Sequence, residues 1–380
     1  MLSRTSFCAP TAVPAALHRA EVLVVPTWNC NLRCSYCFLQ EADLDADGSR
    51  MSTRTAQRVV DALDEGLADH ETISVHLYGG EPLTQTDTIR TMVERARTKA
   101  PGRFSFAVTT NGTCGSDETL ELLRDGQFQV ILSIDGPAEI HDACRRTADG
   151  SGTQAVVLDF LQALKDRTDC WVRGSSVVRR GWRLRDAVDY LLTLPVDRVK
   201  AQAVRVPADS PHALTPAEWE VYYRDLEEIG RRVAARLDAG QSPRDDRFSS
   251  RVLQLLMGKA RDHFCGAGAS TFGILPDGEV RACALLDDSD SVLGHIEDDP
   301  DTWVREGARW RSERPVWEEC SSCTALPLCG GGCPAMLAVC GAGECEVVRK
   351  NCAVATSIFD RFRETPDALL ALADIEWSGP

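Results

Sequence analysis

Three cysteines fall within eight residues, at Cys30, Cys34 and Cys37, with Tyr36 directly before the last. Nine more lie between Cys265 and Cys352, and the other four of the sixteen, Cys8, Cys114, Cys144 and Cys170, are scattered. In a reducing compartment, clustered thiols at short spacing point to metal sites rather than disulfides. The scattered four read as ordinary buried or idle cysteines. An iron-sulfur cubane has four irons, and four thiolates close all of them. Three thiolates leave one iron open for a ligand, as a catalytic zinc keeps one position free. The short spacing alone is also compatible with zinc. Further residues able to do chemistry recur downstream: "YGGEP" (78 to 82), "TTNGT" (109 to 113), "SIDGP" (133 to 137) and "HDACRR" (141 to 146). Taken singly, each is also a plausible turn, strand end or surface cation.

The elements that must position these residues alternate regularly. Strands are expected at 21 to 27, 72 to 80, 103 to 112, 128 to 137, 170 to 178 and 198 to 206. Between them, apolar residues at helical spacing predict helices over 51 to 70, 84 to 99, 117 to 125, 152 to 167 and 183 to 193. Strands alternating with helices imply right-handed crossovers and a parallel sheet, either open or curved into a barrel. The polar punctuation falls after these strands, at the edge where parallel α/β folds bind ligands. After Val206 a loop leads into a long amphipathic helix with a proline at its start, and "QSPRDDR" (241 to 247) reads as an exposed break. From about 263 the chain is rich in Cys and Gly and poor in periodicity, as expected of a small domain held by metal rather than by a large core. Residues 354 to 375 look helical.

The resulting division is an N-terminal tail (1–20), an alternating α/β domain (21–206), a helical bridge (207–262), a cysteine-rich domain (263–355) and a C-terminal helix and tail (356–380). At 380 residues and 43% hydrophobic, the chain is long enough for one large core or two domains. A formal net charge of −15 argues against a nucleic-acid or anionic-membrane binder. No apolar run reaches 18 residues and no signal-like core opens the chain, so the cytoplasm is the expected location.

Cys30-x3-Cys34-x2-Cys37 after the first strand, with Tyr36 before the last cysteine, resembles the signature of the radical S-adenosylmethionine (SAM) enzymes. The resemblance covers residues 21 to about 206 and implies a partial (β/α)6 TIM-type barrel. It also implies a SAM-binding [4Fe-4S] cluster on those three cysteines. Gly79, Gly80, Glu81 and Pro82 match the family's glycine-rich segment, whose backbone accepts the SAM amino group. Paired glycines let a ligand approach the main chain closely, and Glu81 adds a carboxylate for an ammonium. Thr110, Asn111, Ser133 and Asp135 match the strand-end positions facing the sugar and methionine parts of SAM. Arg145 would pair with the SAM carboxylate as a planar fork.

The distal pattern, Cys265-x12-Gly278-x4-Cys283, then Cys320-x2-Cys323-x5-Cys329-x3-Cys333, then Cys352, resembles the SPASM domain of radical SAM maturases. A zinc ribbon would need only four of these ligands. The resemblance implies two auxiliary [4Fe-4S] clusters, making three in all. Cys320, Cys323, Cys329 and Cys352 would hold the outer one, and Cys265, Cys283 and Cys333 the inner. Cys340 or Cys345, in the gap before Cys352, would complete the inner one if a loop reached back; otherwise that position is open.

The implied activity is reductive SAM cleavage to a 5′-deoxyadenosyl radical. Hydrogen abstraction from a ribosomally made peptide would follow, leading to thioether or carbon-carbon crosslinking, oxidation or epimerisation. The implied partners are a peptide substrate, with a leader or a separate recognition protein, and a flavodoxin- or ferredoxin-type reductant. Ala284 follows Cys283 where anaerobic sulfatase-maturating enzymes carry an aspartate, with Asp287 and Asp288 out of register, which lowers that alternative. Only about twenty residues precede the first strand, so leader binding is expected to use another surface. A small-molecule- or porphyrin-modifying radical SAM enzyme would share these motifs, whereas an iron-sulfur electron carrier or sensor would not need the glycine-rich segment. No general base is singled out.

Overall fold

A computed structural model describes residues 19–37, 49–314 and 320–372. Six strands, β1 (Arg19–Thr27), β2 (Thr72–Gly79), β3 (Phe104–Thr110), β4 (Gln129–Ser133), β5 (Trp171–Val178) and β6 (Arg198–Ala203), pair in parallel, each with the next. The crossover helices form where expected and carry their own start signals. Ser52 caps Thr53–Gly66 and Ser116 caps Asp117–Asp125, each side chain accepting a backbone N–H of the first turn. Thr215 and Glu218 close a capping box at Pro216–Asp238.

Alternation along the strands sorts the two faces of the sheet. Val22, Val24, Ile73, Val75, Leu77, Val130, Leu132, Val172 and Val199 are fully buried on the helix-covered face. Each contributes about 1.5–3 kcal/mol on leaving water. The other face carries His76, Tyr78, Thr109, Ser133, Arg173, Ser175 and Lys200, all half-buried. A parallel sheet packed on both sides would be apolar on both; this one keeps a polar inner face, as the wall of a partial barrel does.

Three further strands extend the same sheet. β7 (Thr271–Ile274) pairs in parallel with the free edge of β1, and β8 (Glu279–Arg281) and β9 (Val292–His295) follow antiparallel. The cysteine-rich region therefore shares the barrel's sheet and also its core. Trp303 of the helix Pro300–Glu313 is buried edge-on to Phe272, ring centroids 5.1 Å apart. It also fills the space where a Cβ on Gly66 would lie.

Two expectations are corrected. Residues 241–247 are not an exposed break: the Val199 N–H donates to the Arg244 carbonyl (2.8 Å), and Asp245 and Arg247 are buried as an ion pair. The C-terminal helix runs Ala342–Arg361, earlier than expected, and a 3-10 helix, Pro366–Leu372, follows it.

Candidate active site

The loop after β1 has little regular structure, and its neighbours hold it on three sides. The N–H groups of Gly80 and Glu81 donate to the carbonyls of Thr27 (3.0 Å) and Asn29 (2.9 Å). A Cβ at Gly80 would overlap the carbonyl oxygens of Trp28 and Asn29. At Gly79, φ is +121° and a Cβ would lie 2.7 Å from the Thr27 carbonyl oxygen. The paired glycines thus admit the cysteine loop's own main chain. On the second side, Arg33 and Ser35 donate backbone N–H groups to the carbonyls of Arg146 (2.7 Å) and Cys144 (3.1 Å). On the third, the Asn111 amide donates to Asn31 Oδ1 (2.9 Å), and the Asn31 amide donates to Thr113 Oγ1 (2.7 Å).

The thiols themselves are half-buried. Cys30 Sγ accepts from the Leu32 N–H (3.4 Å) and the Asn111 amide (3.8 Å), and the Cys37 N–H donates to the Cys34 carbonyl (3.0 Å) in a tight turn. Burial pushes the Cys34 thiol up to about 11 against the opposing pull of Arg145, and burial raises Cys30 too. Buried thiols such as Cys30 and Cys34, which resist ionising alone, fit a soft metal centre that supplies the positive charge.

Beneath the loop lies a buried network. Asp135, fully buried, accepts from Tyr36 Oη and from the Val177 N–H (3.1 Å), and pairs with Arg145 Nε (3.2 Å). The Arg145 guanidinium stands 5.5 Å from the Tyr36 ring centre. His141 Nδ1 accepts from the Asp135 N–H (3.3 Å), so Nε2 carries the proton toward Thr153 Oγ1 (3.1 Å), whose hydroxyl donates to the Arg145 carbonyl (3.0 Å). Burial and Arg145 together hold this imidazole near 4. Arg145, Asp135 and Tyr36 are thus each other's partners. Glu81 is likewise engaged internally: it accepts from the Leu83 N–H (3.0 Å), Thr110 Oγ1 (2.8 Å) and the Asn111 N–H (2.7 Å). Burial raises it to about 7 against those three hydrogen bonds. Pro82 begins the short 3-10 helix that Glu81 caps, and Ser133 ends β4 on the inner face.

Among the distal cysteines, Cys265, Cys283 and Cys333 are electrostatic neighbours of one another, and burial raises Cys283 to about 11. Tyr78, at the end of β2, lies within electrostatic range of Cys37, Arg145 and Cys283 at once, so both thiol groups have this side chain as a neighbour. A second cavity of about 290 Å³ is lined by Cys320, Cys323, Cys329 and Cys345. Since a water occupies about 30 Å³ in the liquid, that is space for a cluster rather than a lone ion.

Cys340 and Cys345 do not lie on a loop reaching toward the inner trio. They sit on the helices Pro334–Cys340 and Ala342–Arg361, which meet at Gly341. Cys340 points at the Val206 carbonyl (3.9 Å), beside Arg205 and Glu344. Cys352 is buried with Leu328 and Val348 and has Arg251 beside it. Of the scattered cysteines, Cys170 and Cys144 are buried, Cys114 receives the Asn31 amide (3.6 Å), and Cys8 lies outside the described residues.

Residues 24–194 match the family described as the Radical SAM superfamily. This segment is a radical SAM domain. Beyond that domain, the chain is 24% identical over 333 residues to a cysteine-type anaerobic sulfatase-maturating enzyme of Clostridium novyi, covering 80% of this chain and 85% of that one. It is 26% identical over 332 residues to the antilisterial bacteriocin subtilosin biosynthesis protein AlbA of Bacillus subtilis, covering 84% and 67%. Similarity to the radical SAM cyclopropyl synthase TigE of Paramaledivibacter caminithermalis is 26% over 183 residues, 45% of this chain but only 37% of that protein. The fold matches the solved structure of native anSMEcpe with bound AdoMet at a TM-score of 0.76 and 20% identity, over 91% of this chain and 99% of that one. The radical SAM domain implies SAM and one [4Fe-4S] cluster as cofactors. No helix among the described residues is long and apolar enough to cross a membrane.

Proposed function

We propose that the chain is a radical SAM enzyme that matures a ribosomally made peptide, with SAM on the open iron of a cluster held by Cys30, Cys34 and Cys37. Cys265, Cys283 and Cys333 are assigned to an inner auxiliary cluster, and Cys320, Cys323 and Cys329, completed by Cys345, to an outer one. The observation that carries this reading is that Tyr78, on the inner face at the end of β2, lies within electrostatic range of both Cys37 and Cys283, so the two thiol groups share one neighbour. The likeness to a bacteriocin biosynthesis protein supports a peptide target. When bound, the cofactors supply one-electron cleavage of SAM to a 5′-deoxyadenosyl radical, hydrogen-atom abstraction from a substrate carbon, and acceptance of the electron released as the product forms.

The chain's residues hold and orient. The N–H groups of Gly80 and Glu81 are engaged by the cysteine loop and the Glu81 carbonyl by Thr84, so the Gly80 carbonyl is assigned to the SAM ammonium. Arg145, fixed by Asp135, is assigned to the SAM carboxylate, and Thr110, Asn111, Ser133 and Tyr36 to the walls around it. Glu81 is assigned to bracing the ends of β2 and β3. A crosslink, an oxidation or an epimerisation would each use this site. Oxidation of a serine or cysteine, as the sulfatase-maturating relative's name suggests, is a second reading; Ala284 after Cys283 weighs against it. A flavodoxin- or ferredoxin-type reductant and the reducing cytoplasm complete the proposal.

The test is anaerobic reconstitution with dithionite and SAM, followed by addition of peptides encoded beside the gene. Wild type is expected to release 5′-deoxyadenosine and to lower the mass of one peptide by two hydrogens if a crosslink forms. Replacing Cys30, Cys34 and Cys37 by Ala is expected to abolish cleavage and reduce iron from about twelve to about eight per chain, four per cluster. Wild type that releases no 5′-deoxyadenosine would sink the proposal.

A further inference from the structure

The inner face of the barrel collects more positive charge than it neutralises. Arg173 on β5 pairs with Asp246 (3.1 Å), Arg247 with Asp245 (3.3 Å) and Arg205 with Glu344 (3.1 Å). Arg251 shares Glu344 with Arg205. Lys200 on β6 lies among Arg173, Arg247 and Arg251, with Asp246 the one carboxylate acting on it, already paired to Arg173. Five cations thus face three carboxylates in a chain whose formal net charge is −15. The Nε atoms of Arg173, Arg247 and Arg251 are buried without a hydrogen-bond partner. Their other guanidinium nitrogens are engaged, by Asp246, by Asp245 and, for Arg251, by Cys352, so these three Nε atoms are the unmet donors of the cluster. Lys200 and Arg173 are half-buried, and strand alternation puts both on the inner face of adjacent strands.

This cluster connects to the reacting end of the barrel along β2. Arg173 acts on His76, which stands one inner-face step before Tyr78, their rings 6.0 Å apart, and Tyr78 neighbours Cys37. We propose that Lys200 and Arg173 form a subsite for a carboxylate of the substrate, deeper in the barrel than the SAM site. The claim rests on the peptide reading above and narrows it. Two residues of strand advance about 7 Å and the three strand spacings from β2 to β5 about 14 Å, so on the order of 15 Å separates this subsite from the cysteine loop. That is the reach of about five extended residues. The substrate peptide therefore carries Asp, Glu or its own C-terminal carboxylate within about five residues of the modified position.

The reconstituted, SAM-loaded enzyme is tested by ligand-observed NMR with N-acetylglutamate α-amide, its glutamine counterpart and inorganic phosphate as probes. The glutamate compound is expected to bind at least about tenfold more tightly than the glutamine compound, the size of one charge-assisted hydrogen bond. Lys200→Met and Arg173→Gln should erase that preference and Lys200→Arg should retain it, with iron content and SAM affinity as in wild type. Equal binding of the two amides overturns the subsite. Tighter binding of phosphate overturns the carboxylate class, and weakened SAM binding in Lys200→Met assigns the cations to SAM instead. Selection from a random hexapeptide library then separates the two proposals. Enrichment of Asp and Glu supports both; glutamate preference with no peptide enriched keeps the subsite and overturns the peptide reading.

Discussion

The two thiol regions are built in opposite ways. In the first, Cys30, Cys34 and Cys37 lie on one short loop, and their positions are set by main-chain hydrogen bonds that Thr27 and Asn29 accept from, and Arg33 and Ser35 donate to, neighbouring segments. In the second, the cysteines come from several turns and helices spread over almost ninety residues, and helix phase helps decide which sulfur faces which cavity. Cys345 and Cys352 are seven residues apart, close to two turns, so both lie on one side of the same helix. Yet one lines the cavity with Cys320, Cys323 and Cys329, while the other is buried against Leu328 and Val348. A locally built site is specified by its spacing; a site assembled from distant elements is specified by packing.

Two substitutions probe that contrast. Gly80→Ala is expected to have the larger effect, because its methyl group overlaps the carbonyls of Trp28 and Asn29, which are backbone and cannot rotate away. The loop must shift as a unit, taking three ligands with it. We expect loss of the SAM-binding cluster and of 5′-deoxyadenosine formation, with the auxiliary iron, about eight atoms, retained. Iron analysis and electron paramagnetic resonance would read this directly; a full iron complement in Gly80→Ala would show that the glycine does not seat the loop. In the distal region, Cys345→Ser is expected to remove one auxiliary cluster, about four irons. Cys352→Ser should keep that iron and fold as wild type, because Arg251 beside the position can meet the new hydroxyl. Loss of iron from the second variant alone would return Cys352 to the ligand set.

The same distinction explains what was legible in the sequence. The strands and helices of the first two hundred residues follow from apolar period and Ser caps, and the strands pair in chain order, so their loops fall at one sheet edge. The β7–β1 pairing joins segments some 250 residues apart, and no local pattern announces it. "QSPRDDR" has a surface composition, but Asp245 and Asp246 meet Arg247 and Arg173, and paired charges are tolerated in the interior. Arg145, Asp135 and Glu81 are recognisable as site residues by type and position. Their hydrogen-bond partners are not, because a sequence does not say which group reaches them first. Cys345 was missed as an outer-cavity residue because the helix carrying it has Gly343 in its first turn and holds two cysteines that mask its period.

The smallest expected effect concerns the barrel half alone. His141 and His76 are both held near 4 by burial, with Arg145 acting on the first and Arg173 on the second. In the unfolded chain each takes up a proton near pH 6.5. Between about pH 6.5 and 4 the unfolded state thus binds protons that the folded state refuses, and stability falls as the pH drops, by up to about 3 kcal/mol for each histidine. Glu81 works in the opposite direction. Raised to about 7, it takes its proton in the folded state first and returns a similar amount of stability as the pH falls toward 4.5. The sum of the three is a net loss of about 3 kcal/mol on acidification, enough to matter against a typical total of about 5–15 kcal/mol. Urea unfolding at pH 7.5 and pH 4 measures it. Thiolate ligands also protonate in acid, so the comparison is with a variant carrying His76→Phe and His141→Phe, which loses the imidazole contribution and keeps the thiols. The variant should show a smaller drop between the two pH values than wild type, or even a gain from Glu81. An equal drop in both would transfer the acid sensitivity from the buried imidazoles to the cluster ligands.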